Sequence, residues 1–149
     1  MRHHRAVPAD HLPPPTETCP GCGAVLVPVA DGDPAHAGAS ASCARLFEVT
    51  LRGLREEAAS HPATAPVVAL ADAAYDAQHP VPGDDDRLRA ALGILGVSGD
   101  TFADGQPSAW RTTVADVAAD LDVIDLGVLV ATWARAVQED WAAAPTVRT

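Results

Sequence analysis

In a segment that starts near residue 40, the residues expected to face a core recur at helical spacing. They are Cys43, Leu46, Phe47, Thr50, Leu51, Leu54 and Ala58. Charged residues occupy the other side, and Ser40 or Ser42 can cap the start of the segment. His61–Pro62 ends it, because the residue before a proline avoids helical backbone angles. The pattern predicts an amphipathic helix with one face in a core.

Two more helices are predicted downstream of His61. The second opens with Pro66 in its first turn, carries inward-facing aliphatic residues and Tyr75, and stops at His79–Pro80. The third extends from Asp85 to about Val97. Its first turn is acidic, which suits the positive end of a helix, so Asp84, Asp85 and Asp86 are interpreted as solvated residues and not as a cation site.

A short helix and a long one complete the chain. Thr113 and Asp116 have the spacing of a capping box and predict the start of the short helix. The long helix is predicted from about Asp122 to Ala143. Its apolar stripe consists of Leu126, Val130, Trp133, Val137 and Trp141. We expect both tryptophans in this stripe to lie in the core or in an interface and not in a binding site for aromatic ligands.

The N-terminal part has a different character. Residues 1–18 are rich in proline and histidine and predict a disordered leader. A cysteine turn and a short extended run, Ala24–Val27, come next and resemble a zinc knuckle followed by a strand. We therefore predict a mainly α fold: a small bundle of four to five helices with a zinc-knuckle-like N-terminal segment. Residues 19–144 form a single metal-binding helical domain, and 145–149 form a tail.

The charge of the chain limits its partners. The formal net charge is −10 and every basic residue except histidine is arginine. Nucleic acids and anionic membrane surfaces are therefore excluded as expected partners, which leaves proteins or small molecules. No run of about 20 apolar residues is present, and residues 1–10 lack the apolar segment of a secretory signal. We expect a cytoplasmic protein.

The three cysteines favour metal binding. Cys19 and Cys22 are three positions apart within the sequence CPGCG, and Cys43 opens the first helix. Three cysteines cannot all pair, and nothing in the sequence indicates export, so a disulfide framework is the weaker interpretation. Close-spaced thiolates with flanking glycines are typical of zinc sites.

A helical hairpin would supply the fourth ligand. Cys43 and His79 each lie 18 positions from His61, so an antiparallel hairpin centred there places them at the same end. Cys19, Cys22, Cys43 and His79 are thus the predicted ligands of Zn²⁺. His36 is an alternative to His79. If both histidines reach the metal, one position becomes exchangeable and the site can be catalytic.

These motifs resemble the DUF5946 family, an uncharacterised group found mainly in actinobacteria. The likeness is carried by Cys19-Pro-Gly-Cys22-Gly, His36, Ser40-Ala-Ser-Cys43 and Asp72-Ala-Ala-Tyr75-Asp-Ala-Gln78-His79-Pro80. The resemblance implies a shared architecture and a metal site but no reaction. Members usually have a further histidine in the helix after the QHP motif, and the corresponding Leu88–Leu92 has none. If that histidine is catalytic in other members, this chain lacks the residue for that role.

Three functions are compatible with these residues. In the first, the zinc is structural and the protein is an interaction module. In the second, the zinc has an open position, and His36 or Asp76 carries protons. In the third, Cys19 and Cys22 form a redox dithiol, although the βαβ surroundings of a thioredoxin-like site are missing. Tyr75 and Asp72 are either supports for the ligands or a core residue and a solvated acid. Whether the protein is an enzyme is left open.

Overall fold

The computed structural model describes residues 15–29, 36–98 and 105–144. Within them the chain forms two short strands and five α-helices. The elements are β1 (Glu17–Thr18), β2 (Val25–Leu26), α1 (Ala41–Ala58), α2 (Ala65–Gln78), α3 (Asp85–Ile94), α4 (Val114–Ala119) and α5 (Leu126–Ala142). The predicted mainly helical fold with a small N-terminal segment is confirmed. No helix in the described ranges is long and apolar enough to cross a membrane.

The first two helices form the predicted hairpin. Ser40 caps α1 by accepting a hydrogen bond from the Cys43 N–H. A single 3₁₀ turn, Pro62–Thr64, connects α1 to α2 directly after His61. Because the chain reverses there, the first turn of α1 and the last turn of α2 lie at the same end of the pair.

The third and fifth helices are shorter than predicted. α3 ends at Ile94 because Gly96 adopts a positive φ of 79° and the Val97 N–H turns back to the Leu92 carbonyl at 2.8 Å. α5 begins at Leu126 and not at Asp122, because the Asp125 side chain accepts a hydrogen bond from the third residue of the helix. Thr113 begins α4 with the predicted capping box.

Helix α2 is the centre of the bundle and packs against α1, α3 and α5. Trp133 and Trp141 are fully buried, as expected. Both indole N–H groups donate to the end of α2, from Trp133 to the Gln78 side-chain oxygen at 3.0 Å and from Trp141 to the Ala77 carbonyl at 3.0 Å. Gln78 also donates to the Thr112 carbonyl at 2.6 Å. These bonds hold the last turn of α2 rigidly against α5.

The folded N-terminal segment begins earlier than predicted. β1 pairs antiparallel with β2, with Glu17 opposite Leu26. The Glu17 carboxylate also accepts hydrogen bonds from the backbone N–H and the hydroxyl of Ser42 at the start of α1. Glu17 and Thr18 are therefore part of the fold and not of a leader. Residues 1–14 of the predicted leader and the predicted tail, 145–149, lie outside the described residues.

Candidate metal centre

The CPGCG sequence forms a tight turn. The Cys19 N–H donates to the Ala24 carbonyl at 2.9 Å, and the Gly23 N–H donates to the Cys19 carbonyl at 3.0 Å. Gly23 has a φ of 79°, which a residue with a side chain rarely adopts. The turn buries both thiols, and Cys19 and Cys22 are 2% and 5% exposed.

Four donor atoms meet where this turn contacts the open end of the hairpin. One atom each from Cys19, Cys22, Cys43 and His79 lies within 4.8 Å of all the others, and all four residues are buried. The Cys22 and Cys43 sulfurs are 3.8 Å apart, and the Cys43 sulfur lies 3.5 Å from His79 Nε2. The structure thus brings together the four residues that the sequence analysis selected.

The spacing of these atoms fits a tetrahedral metal site. With Zn–S bonds of about 2.3 Å and a Zn–N bond of about 2.0 Å, a tetrahedron has S···S edges of about 3.8 Å and S···N edges of about 3.5 Å. The two distances above have these values. Three sulfurs and one imidazole are also a donor set that soft or borderline cations prefer. Cys19, Cys22, Cys43 and His79 can therefore hold a metal ion.

Neighbouring groups orient the donors. His79 Nδ1 lies 2.6 Å from the Tyr75 carbonyl oxygen. A carbonyl only accepts, so Nδ1 carries the hydrogen and Nε2 presents its lone pair to the sulfurs. The Tyr75 hydroxyl donates to Cys43 Sγ at 3.4 Å, and the Ser40 N–H donates to Cys19 Sγ at 3.4 Å. Of the two interpretations of Tyr75, its hydroxyl contact supports a role beside the ligands, although its ring also packs in the core.

The three thiols of the cluster do not ionise independently of one another. Hydrogen bonds from Cys22 and Cys43 lower the pKa of Cys19 far below its ordinary value. The bond to Cys19 raises the pKa of Cys22 to about 11, and bonds to Cys19 and Cys22 raise the pKa of Cys43. A second buried negative charge would be repelled by the first. Three thiolates at this position need a positive ion between them.

His36 is not one of the four clustered donors. The Gly38 N–H donates to His36 Nδ1 at 3.1 Å, so Nε2 carries the hydrogen and donates to Asp76 Oδ1 at 2.9 Å. Burial raises the pKa of Asp76, but the hydrogen bonds from His36 and Arg87 outweigh it and the net shift is downward. Both ring nitrogens of His36 are thus engaged away from the sulfurs.

The acidic candidates lie outside the cluster. Asp72 forms an ion pair with Arg55 at 2.6 Å on the partly exposed face of α2, which favours the interpretation as a surface acid. Asp84 caps α3 by accepting a hydrogen bond from the Arg87 N–H, and Asp85 and Asp86 lie in the first turn of that helix. This arrangement agrees with the interpretation of the three aspartates as residues that suit a helix start.

Trp110 supports the cysteine turn and was not selected from the sequence. Its indole N–H donates to the Gly21 carbonyl at 2.9 Å, across 89 positions of sequence. Periodicity cannot reveal this contact, because Trp110 lies in an irregular segment. The only sign of this contact in the sequence is a lone tryptophan among small and polar residues.

Gly38 tests how tightly the site is built. A Cβ added there would lie 2.5 Å from the His79 carbonyl oxygen and 2.7 Å from that of Pro80, both of which are backbone atoms. We expect Gly38→Ala to lower the free energy of unfolding by about 1–3 kcal/mol and to weaken metal binding, because His79 must move.

The matched control is Gly93→Ala on α3, where a Cβ meets no atom within 4 Å. Since alanine favours a helix more than glycine does, this variant should be about 0.5–1 kcal/mol more stable. Denaturant unfolding of the metal-loaded proteins measures both effects. Equal stability of the two variants would show that the site is looser than described.

One of three comparisons with known proteins identifies a family. A family model described as "Family of unknown function (DUF5946)" matches residues 17–101, which include all four clustered residues and α1, α2 and α3. No curated protein matches the chain. No solved structure matches it either. The match covers more than half of the chain, and the chain therefore belongs to the DUF5946 family, whose function is unknown.

Proposed function

We propose that Cys19, Cys22, Cys43 and His79 hold a structural zinc ion, and that the protein is a zinc-stabilised binding module. The observation that carries the proposal is the convergence of four buried donors from three parts of the chain. Zinc at this point ties the N-terminal turn to the first turn of α1 and the end of α2. Binding free energy at such a site is folding free energy.

The donor count supports a closed site. Structural zinc sites have four protein ligands, whereas catalytic sites usually have three and keep a position for water or substrate. Cys43 and His79 are 0% and 1% exposed, which disfavours access for a substrate. His36, the residue that could have made an exchangeable fifth donor, is engaged by Gly38 and Asp76.

The remaining surface supports a binding role. Two cavities, of about 480 and 560 Å³, are lined by residues that neighbour the clustered residues in the chain. Gly21, Gly38 and Gln78 line the first, and His36 and Tyr75 line the second, so the segments that the zinc would join also form the cavity walls. We further propose a reducing compartment such as the cytoplasm, because all three cysteines are unpaired.

Cobalt(II) substitution tests the closed site. Cobalt bound in place of zinc should give the intense visible absorption of a tetrahedral, thiolate-rich site, and added azide or cyanide should leave the spectrum unchanged. A spectrum that changes on titration with either anion would show an open position. That result would replace the structural role by a catalytic one and justify a search for hydrolytic activity.

A further inference from the structure

We propose that the second of these cavities binds a small organic monocarboxylate with an apolar body. The cavity, called the α2 cleft below, lies between α1, α2 and α3, and its charged lining residues are Glu48, Arg55, Asp72, Asp76 and Arg87. The inference deepens the proposed function by naming a ligand class, and it rests on the zinc-stabilised fold described above.

Two arginines from different helices are held in place in the lining of the cleft. Asp72 and Asp76 lie one turn apart on the same face of α2. Arg55 from α1 donates to both oxygens of Asp72, at 2.6 and 3.0 Å. Arg87 from α3 pairs with Asp76 at 3.1 Å. Guanidinium groups fixed in this way lose little conformational entropy when a ligand binds.

Hydrogen-bond capacity favours an anionic ligand. Arg55 engages both carboxylate oxygens of Asp72, and Asp76 Oδ1 contacts both His36 and Arg87. At Asp72 and at Asp76 Oδ1, a cationic ligand would have to compete with these guanidinium groups for the same oxygens. A guanidinium has five N–H donors, and the two aspartates engage only some of them. The cleft therefore has donors to offer, and a carboxylate is the acceptor whose geometry matches them.

Two aromatic residues are part of the lining of the cleft. The rings of Phe47 and Tyr75 stack with centroids 4.0 Å apart and an interplanar angle of 3°, and the Arg55 guanidinium lies 5.3 Å from the Phe47 centroid. Ala44 adds a further apolar surface. The cavity volume of about 560 Å³ suits a small metabolite. These features favour a ligand with an apolar body behind its charged group.

The negative charge of the cleft and of the whole chain favours a ligand with a single negative charge. The cleft has three carboxylates, Glu48, Asp72 and Asp76, against two arginines, and the whole chain has a net charge of −10. A phosphate or a nucleotide would place two or more charges in this field, and repulsion would oppose its binding. Among anions, a monocarboxylate gains the arginine contacts at the smallest electrostatic cost.

Three probes with the same ring separate the charge types. Benzoate, benzamide and benzylamine are titrated into the zinc-loaded full-length protein by isothermal titration calorimetry. We expect benzoate to bind at least about tenfold more tightly than benzamide, and benzylamine to bind more weakly than both. Stronger binding of benzylamine, or equal binding of benzoate and benzamide, would overturn the proposal. Absence of binding by all three at millimolar concentration would also overturn it.

Matched variants on α3 locate the site. Arg87→Gln should weaken benzoate binding about tenfold or more. Arg89→Gln removes the same charge from the same helix, where Arg89 pairs with Asp86, and should change the affinity less than about twofold. The same affinity in both variants would place the carboxylate elsewhere.

Zinc content and a melting curve are measured for each protein, and Arg55→Gln replaces Arg87→Gln if the latter does not fold. A variant that keeps its zinc and loses benzoate supports the ligand assignment. A wild-type protein that keeps its zinc and ignores benzoate contradicts the ligand class without touching the zinc site. A wild-type protein without zinc contradicts the proposed function.

Discussion

Cys43→Ser is expected to abolish tight zinc binding and to leave the protein largely unfolded at room temperature. Cys43 is 0% exposed, and its sulfur lies 3.5 Å from His79 Nε2 and 3.8 Å from the Cys22 sulfur. The same sulfur accepts a hydrogen bond from the Tyr75 hydroxyl. Structural zinc contributes about 10–16 kcal/mol to the folding of zinc-finger peptides at pH 7. A typical domain has a net stability of about 5–15 kcal/mol. The lost zinc contribution is therefore as large as the whole net stability of a typical domain. Without it, the helices are not expected to stay folded.

Circular dichroism melting curves with and without a chelator measure this effect. The chelator should lower the melting temperature of the wild-type protein strongly. It should leave the melting curve of Cys43→Ser unchanged, because that variant has no metal to lose. A variant that melts like the wild type would contradict the assignment. So would a chelator that lowers both melting temperatures equally.

His79→Ala and His36→Ala are expected to differ sharply, although both remove a buried imidazole. The two rings are only 5.7 Å apart and both residues are buried. His79→Ala removes a donor from the cluster and should weaken zinc binding more than about a hundredfold, which exceeds the roughly 10–100-fold loss seen when groups that only support ligands are removed. His36→Ala should keep the zinc and lose about 1–3 kcal/mol of stability, because the Gly38 N–H loses its partner and Asp76 keeps only Arg87.

Competition with a colorimetric zinc chelator gives the affinity of each variant, and denaturant unfolding gives its stability. The pair of histidines acts as its own control for burial and ring size. If His36→Ala loses the zinc and His79→Ala retains it, His36 is the ligand and His79 is not. Zinc retained at full affinity in both variants would indicate more than four donors and reopen the catalytic interpretation.

The helical hairpin and the approach of Cys43 to His79 could be predicted because their signals are local. His61–Pro62 and His79–Pro80 end α1 and α2 on steric grounds alone. The equal distance of Cys43 and His79 from the reversal then determines that they meet, whatever packs around them. The stripe of α5 also identified Trp133 and Trp141 as core residues, since a helix with one apolar face must bury it.

Other features depended on contacts between distant segments. Gln78 is fully buried because Trp133 and Thr112 supply its hydrogen-bond partners, and neither contact leaves a periodic signal in the sequence. The α2 cleft was missed for the same reason, since Arg55 and Arg87 resemble ordinary surface arginines until α1 and α3 pack against α2. The early end of α3 depended on the positive φ of Gly96, whereas the apolar pattern continued to Val97.

The choice between His36 and His79 could not be made from spacing. Both follow the cysteine turn at plausible distances for a ligand. Hydrogen bonds distinguish the two rings: the Tyr75 carbonyl fixes the tautomer of His79 so that Nε2 points at the sulfurs, while Gly38 and Asp76 engage both nitrogens of His36. A backbone carbonyl four residues before a histidine is present in any helix, so only the structure shows which ring uses it.

The metal content of the wild-type protein tests the central claim most directly. The chain is purified without a histidine tag, under reducing conditions, and analysed for metals together with its protein concentration. We predict one zinc ion per chain, with no other metal in stoichiometric amount, because three thiolates and one imidazole select zinc over magnesium or calcium. A folded protein that contains no metal, with three thiols that react freely with a thiol reagent, would contradict the account.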